Sequence, residues 1–198
     1  LISRDQKLID LFKTFEMDKR QQCFSDFQTL IRIIVSQQLS GAAARTIFSR
    51  LLSLVGNNFS PTAMSKLNEK EFSTIGISRA KADYCQGIAE TLEENPNYFT
   101  ELHELNDHEK IVELIKFKGV GIWTASIFVM SSNIFLDVFA YGDATLNKVI
   151  KNVYGIEGTC FDRDLEQILS KWSPYKTLVC RVIWHYNDNV LIQTRNRI

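Results

Sequence analysis

Apolar residues recur every three or four positions along most of this chain, the period of helices that each bury one face. Leu30, Ile33 and Ile34 mark a first helix, which Ser40 and Gly41 interrupt. Ser40 is placed to cap a second, with Ala43, Ile47 and Leu51 on one face and Gly56 past its end. Pro61 opens a short helix carrying Met64 and Leu67. From Ser78 a longer one places Ala82, Cys85, Ile88, Ala89 and Leu92 at helical spacing and stops before Pro96. Asp107 begins the next, with Ile111, Leu114 and Ile115 apolar, ending at Lys118-Gly119-Val120-Gly121. Another follows at once, from Ile122 to Ser131. Asp143 then caps a helix with Leu146, Val149, Ile150 and Val153 inward and Gly155 at its end. Two more cover Asp162 to Trp172 and Tyr175 to Asn187. Only 133–138 reads as strand-like, and it is too isolated to build a sheet. The pattern predicts an all-α, bundle-like protein: one helical domain over 1–198, with no repeat or linker and with its termini packed on one side.

Composition supports a buried core, with 45% hydrophobic and 11% aromatic residues in 198. Charge narrows the partners. Lys+Arg and Asp+Glu both count 23, a formal net charge of +0. That balance argues against a protein that grips nucleic acid by bulk charge, yet it allows phosphate contacts from backbone amides and helix N-termini. Cys23, Cys85, Cys160 and Cys180 fit no zinc or iron–sulfur spacing, and Cys85 and Cys180 fall in apolar helical patterns. Unlinked thiols in a reducing compartment are expected. No signal peptide opens the chain and no apolar run approaches the ~20 residues of a membrane span. A soluble protein is expected, acting inside the cell: in the nucleoid-bearing cytoplasm of a bacterium or the nucleus of a eukaryote. His103, His108 and His185 form no metal or triad spacing and read as structural.

The segment Leu114-Ile115-Lys116-Phe117-Lys118-Gly119-Val120-Gly121-Ile122-Trp123-Thr124-Ala125 joins two helices through a glycine-bearing turn at 118–121. Glycines there permit positive φ and close approach of another backbone. The amides opening the second helix lack intrahelical partners and can take a phosphate oxygen. The same residues also suit an ordinary tight connection between packed helices. Downstream, Gly142-Asp143-Ala144-Thr145 puts a carboxylate at a helix N-terminus, after a stretch carrying Phe135, Phe139 and Tyr141. As an N-cap it would bond its own helix amides; one carboxylate has enough acceptor sites for that and for chemistry.

Together these pieces resemble the helix-hairpin-helix (HhH-GPD) DNA glycosylase superfamily, and within it the alkyladenine branch, the 3-methyladenine DNA glycosylase II enzymes. The agreement extends to Ile34-Val35-Ser36-Gln37-Gln38-Leu39-Ser40 with Ala42 and Ala43, to Gly76-Ile77-Ser78-Arg79-Ala80-Lys81-Ala82, and to Asp137-Val138-Phe139. It also includes Trp172-Ser173-Pro174-Tyr175 and Ile183-Trp184-His185-Tyr186. Two positions depart from the pattern: Tyr141 and Lys118 stand where relatives often carry proline.

The resemblance implies two closely packed helical lobes with the active-site cleft between them. It implies base excision repair by base flipping, acting on double-stranded DNA that contains alkylated bases. Asp143 would be the catalytic carboxylate, stabilising an oxocarbenium-like transition state. Trp123 and Trp184 would line the base pocket, and plain core packing is the alternative for each. Gln38 would intercalate, the alternative being a glutamine packed at a helix end. Lys118, Gly119, Val120, Gly121 and Thr124 would hold DNA phosphate. The carbonyls of Phe117 and Val120 would hold a structural Na+ or K+; no other cofactor is required. Where bifunctional relatives carry a Schiff-base lysine this chain has Trp123, which implies a monofunctional hydrolase without lyase activity. A monomer is expected. Two other readings stay open: a non-catalytic helix-hairpin-helix DNA-binding module, and a glycosylase for another damaged base.

Overall fold

The computed structural model describes residues 1–13, 15, 26–156 and 161–191. The chain divides into two units, Leu1–Gln21 with Met130–Ile198, and Gln22–Val129. A 3-10 turn over Gln6–Leu8 and helix α1 (Ile9–Phe12) open the first unit. The second holds α2 (Asp26–Ser36), α3 (Gly41–Val55), α4 (Pro61–Ser65), α5 (Glu69–Ile75), α6 (Arg79–Glu94), α7 (Tyr98–Glu104), α8 (Asp107–Leu114) and most of α9 (Ile122–Ser132). The first unit then resumes with α10 (Ala144–Tyr154), α11 (Phe161–Trp172) and α12 (Lys176–Tyr186). Among the described residues there is no strand.

In the second unit α2 is the central helix, packed on α3 and α6. Its Leu30, Ile31, Ile34 and Val35 are fully buried, and α6 adds Cys85, Ile88 and Ala89. Removing such side chains from water contributes about 1.5–3 kcal/mol for each of the larger ones. Ser40, Ser60 and Ser78 cap α3, α4 and α6 by accepting from the amides of Ala43, Ala63 and Lys81. On α3 the buried row is Ala44, Phe48 and Leu51, one position round from the expected face for two of the three. Phe48 turns it, because its ring meets Phe59 at 6.0 Å, and Phe59 in turn meets Phe27 at 5.7 Å. Ile115, expected on the buried face of α8, is exposed because α8 has already ended at Leu114. The sequence pattern passed over α5, α7 and α1, each seven residues or fewer, although α5 begins with a reciprocal capping box between Asn68 and Glu71.

In the first unit α10 packs on α12, which also meets α1 and α11. The stretch 133–138 is irregular, with a turn at Ile134 and Phe135, and is not a strand. Helix α12 holds it through Thr177, whose amide donates to Leu136 O and whose hydroxyl donates to Val138 O. Cys85 and Cys180 are free thiols, unlinked as expected, and burial is the chief cause that pushes each up to about 12. Cys23 and Cys160 lie outside the described residues.

The N-terminal segment is tied to the closing helices by a buried acid. Asp5, 6% exposed, accepts from the Lys7 amide, from the Trp172 indole N–H at 3.2 Å and from the Tyr154 hydroxyl. Lys7 Nζ donates to the last carbonyls of α10, Val153 O and Tyr154 O. The expected meeting of the termini involves 192–198, which lie outside the described residues. Asp5→Ala takes the acceptor from the half-buried Tyr154 hydroxyl and leaves the buried Trp172 indole N–H only Tyr154 Oη, at 3.3 Å, and should cost about 1–3 kcal/mol. The check is the urea midpoint at constant slope; a loss below ~0.5 kcal/mol would show that the cluster does not hold the segment.

Candidate active site and hairpin

The hairpin connection runs from 115 to 121, longer than the sequence indicates. Three short backbone bonds shape it: Lys116 N to Glu113 O, Phe117 N to Leu114 O, and Val120 N to Phe117 O. Only one of its two glycines needs the left-handed region. Gly119 sits at φ +86, and a Cβ built there would overlap the Tyr84 ring. Gly121 has no positive φ, and a Cβ there would meet nothing within 4 Å. Val120 is buried as the turn's anchor, whereas Lys118 and Ile122 are exposed. The first intrahelical bond of α9 runs from Ala125 N to Gly121 O, so the amides at 122–124 precede it.

Thr124 can meet the expected phosphate only through its backbone. It is 2% exposed and its hydroxyl accepts from the Gln37 side chain, so that hydroxyl serves inside the unit rather than toward a phosphate. Of the predicted phosphate set, the Lys118 side chain, the backbone of the turn and the Thr124 amide remain.

Gln38 stands at the break between α2 and α3. It is exposed and adopts φ +55, the only described non-glycine residue in the left-handed region, at a cost of about 1–2 kcal/mol. The preceding glutamine faces the other way. Gln37 Nε2 donates to Gly119 O and to Thr124 Oγ1, both at 2.9 Å. Lys81, near the start of α6, donates to Val35 O at 2.8 Å and to Gln37 O at 2.7 Å. Burial depresses its pKa, with a smaller opposing effect from Cys85. Neither Gln37 nor Lys81 stood out in the sequence. The available signal was the glutamine pair itself, placed where α2 ends and its last carbonyls and neighbouring turns need polar partners.

Asp143 lies in the first unit. Gly142, at φ +82, turns the chain so that Asp143 takes extended geometry and starts α10. Its Oδ1 accepts from the Leu146 amide at 2.9 Å and from the Trp184 indole N–H at 3.2 Å. The carboxylate is thus a helix cap, and it is also joined to one of the two predicted pocket tryptophans. Trp123, the other, is half-buried on α9 in the second unit. The stretch before Asp143 is anchored at Asp137, whose Oδ2 accepts from Ser173 Oγ and Lys176 Nζ, each at 2.8 Å. Tyr141, 43% exposed, lies edge-on to Phe139 and donates its hydroxyl to Glu166 at 3.0 Å. Burial and then that bond push its phenol up to about 12. Among the described residues no three His, Cys, Asp or Glu side chains group to hold a metal. None of the described helices is long and apolar enough to cross a membrane.

A helical hairpin with a left-handed glycine, followed by a carboxylate at a helix start, defines a class, and comparison with known proteins agrees. Residues 31–174 match the family "HhH-GPD superfamily base excision DNA repair protein". The chain belongs to that family. Among its relatives is the fission yeast (Schizosaccharomyces pombe) "Alkylbase DNA glycosidase-like protein mag2", 25% identical over 162 residues, or 80% of this chain and 76% of that one. A solved DNA-3-methyladenine glycosidase from Bacillus halodurans is 28% identical with a TM-score of 0.77, covering 97% of this chain and 88% of that one. The fold is shared further with the S. pombe 3-methyladenine DNA glycosylase Mag1, solved with abasic DNA, at 22% identity, TM-score 0.81, 94% of this chain and 92% of that one. Four other curated relatives are longer, and the chain spans 43% to 58% of them.

The two hairpin glycines should behave differently when substituted. Gly119→Ala meets both an unfavourable φ and the Tyr84 ring and should destabilise by about 2 kcal/mol or more. Gly121→Ala should stay within about 0.5 kcal/mol of wild type. Equal losses in thermal unfolding would refute this division of labour.

Proposed function

We propose that the chain is a monofunctional DNA glycosylase that hydrolyses the N-glycosidic bond of alkylated purines, 3-methyladenine and 7-methylguanine, in double-stranded DNA. It works as a monomer, inside the cell, and leaves an abasic site. The observation that carries this reading is the fixed carboxylate: two N–H donors converge on Asp143 Oδ1, one from the backbone and one from an indole.

A base stacked in a duplex is out of reach, so the nucleotide must be extruded and the gap filled. Gln38, exposed on a strained turn, is the filler. The hairpin grips the backbone through Lys118, the turn of Gly119, Val120 and Gly121, and the amides opening α9, which positions the enzyme without reading sequence. An N-methylated purine is cationic and leaves as a neutral base. Trp184 and Trp123 offer aromatic faces to that cation, contributing about 0.5–2 kcal/mol beyond packing. As the bond breaks, positive charge grows on the sugar, and the Asp143 carboxylate stabilises it and orients the attacking water. Water gives its hydroxyl to the sugar carbon and releases a proton. Trp123 cannot form a Schiff base, so the strand stays intact.

A monovalent cation at the hairpin would use the carbonyls of Phe117 and Val120. Neutral oxygens suit Na+ or K+, and Phe117 O, which accepts one bond from Val120 N, keeps a second lone pair. If such an ion takes part, replacing K+ by tetramethylammonium at fixed ionic strength lowers DNA affinity; unchanged affinity rejects it.

Asp143→Asn keeps an acceptor for the α10 cap, so folding and DNA binding should persist while base release falls by about a thousandfold or more. The assay is release of methylated bases from alkylated DNA, with the product run on a denaturing gel with and without alkali. Near-normal activity in the variant would reduce Asp143 to a cap. Strand breaks without alkali, together with a borohydride-trapped adduct, would reject the monofunctional assignment. Release of 8-oxoguanine but no methylated purine would reject the substrate.

A further inference from the structure

Two polar side chains with no part in the chemistry connect the hairpin to the turn that carries Gln38. The Gln37 amide has two hydrogens, and both are used, one in the hairpin turn at Gly119 O and one in the first turn of α9 at Thr124 Oγ1, each at 2.9 Å. Gly119 O can only accept, so the orientation of the amide is fixed. From the opposite side Lys81 Nζ reaches Gln37 O at 2.7 Å and Val35 O at 2.8 Å. Those carbonyls close α2, where its own bonds run out and a positive charge is favoured. Leu39 N donates back to Ser36 O, and the Ser40 cap of α3 follows at once. The left-handed Gln38 is therefore held on both sides, and the residue before it is bonded directly to the hairpin backbone.

We propose that Gln37 and Lys81 are positioning residues: a brace that makes the hairpin and the Gln38 turn one element, so that a duplex seated on the hairpin sets where the Gln38 side chain enters the stack. This rests on the functions assigned above to the hairpin and to Gln38. It assigns Gln37 a role in coupling backbone grip to base extrusion and Lys81 a role in holding the carbonyl end of α2 on which that coupling pivots. Neither residue touches the reacting bond.

The test uses Gln37→Met, which preserves length and volume but removes both donors. In the free protein, amide hydrogen exchange at Leu39 and at Val120 should accelerate together by about tenfold, while buried amides of α6 and α12 keep wild-type rates. Acceleration at one site only, or at neither, overturns the brace, and this measurement does not depend on activity. In single-turnover excision Gln37→Met should lose about tenfold on a lesion paired in a duplex and less than about threefold on the same lesion in an unpaired bulge. Gln38→Ala should show the same asymmetry, and adding Gln37→Met to it should cost less than about twofold more, because both act through one step. Equal losses on the two substrates, or full additivity, would make Gln37 a packing residue and overturn the proposal. Lys81→Met should repeat the paired-against-unpaired split and Lys81→Arg should recover most of it; a Lys81→Met protein that excises paired lesions normally removes Lys81 from the brace. If wild-type protein releases no methylated base, the glycosylase reading fails, and the exchange rates still decide whether the brace exists.

Discussion

A helix begins with amides and ends with carbonyls that its own hydrogen bonds cannot reach, and those groups must find partners wherever water is excluded. Much of this chain answers to that requirement, because its helices are short and their ends correspondingly many. Serines 40, 60 and 78 and asparagines 68 and 106 each accept from an amide in the first turn they precede. At several carbonyl ends the partner comes from far away in sequence: Arg181 reaches Met130 O near the end of α9, and two lysines do the same elsewhere, Lys81 closing α2 in one unit and Lys7 closing α10 in the other. These lysines do more than neutralise a helix end. Each ties a separate segment of chain to it, α6 in the first case and the N-terminal segment in the second.

The candidate site is made from the same helix ends. Asp143 starts α10 as Ser40 starts α3, but its cap oxygen is shared with the Trp184 indole, which orients a ring and a carboxylate against each other. At the hairpin the chain supplies a glycine turn ahead of α9 and leaves the space beside Gly121 open. A protein with a formal net charge of +0 can engage a polyanion in this way, because amides at a helix start carry partial positive charge without adding to the total.

Sequence punctuation fixed the longer elements well. Ser40 and Gly56 bracket α3, Ser78 opens α6, and Asp143 and Gly155 bracket α10, because caps and left-handed glycines act over a few residues. Where burial depends on distant partners, local reading fails. Helices α5 and α7 each bury only two side chains, too few to set up a period, and the face of α3 is set by Phe59 outside it. The stretch 133–138 looks like a strand because its residues favour extended chain, yet it pairs with the start of α12 and not with another strand. In the site, Asp143, Trp184 and the hairpin were legible through resemblance and spacing. The bond that takes up the Thr124 hydroxyl and the Gln37 amide was not legible, because it joins residues 87 apart in sequence.

The cap and the indole bond of Asp143, set beside the catalytic role proposed for it, bear on how such a chain can drift. Active-site groups often sit in conflict with the fold around them, so a lineage that loses its chemistry can gain robustness by discarding them. Here the acid also begins a helix and anchors an indole, so relaxed selection would not reward its removal. Were the proposed chemistry lost, asparagine or serine at this position would still start the helix without supplying the anion. Aliphatic replacements would forfeit both and would be purged even after the chemistry had ceased to matter.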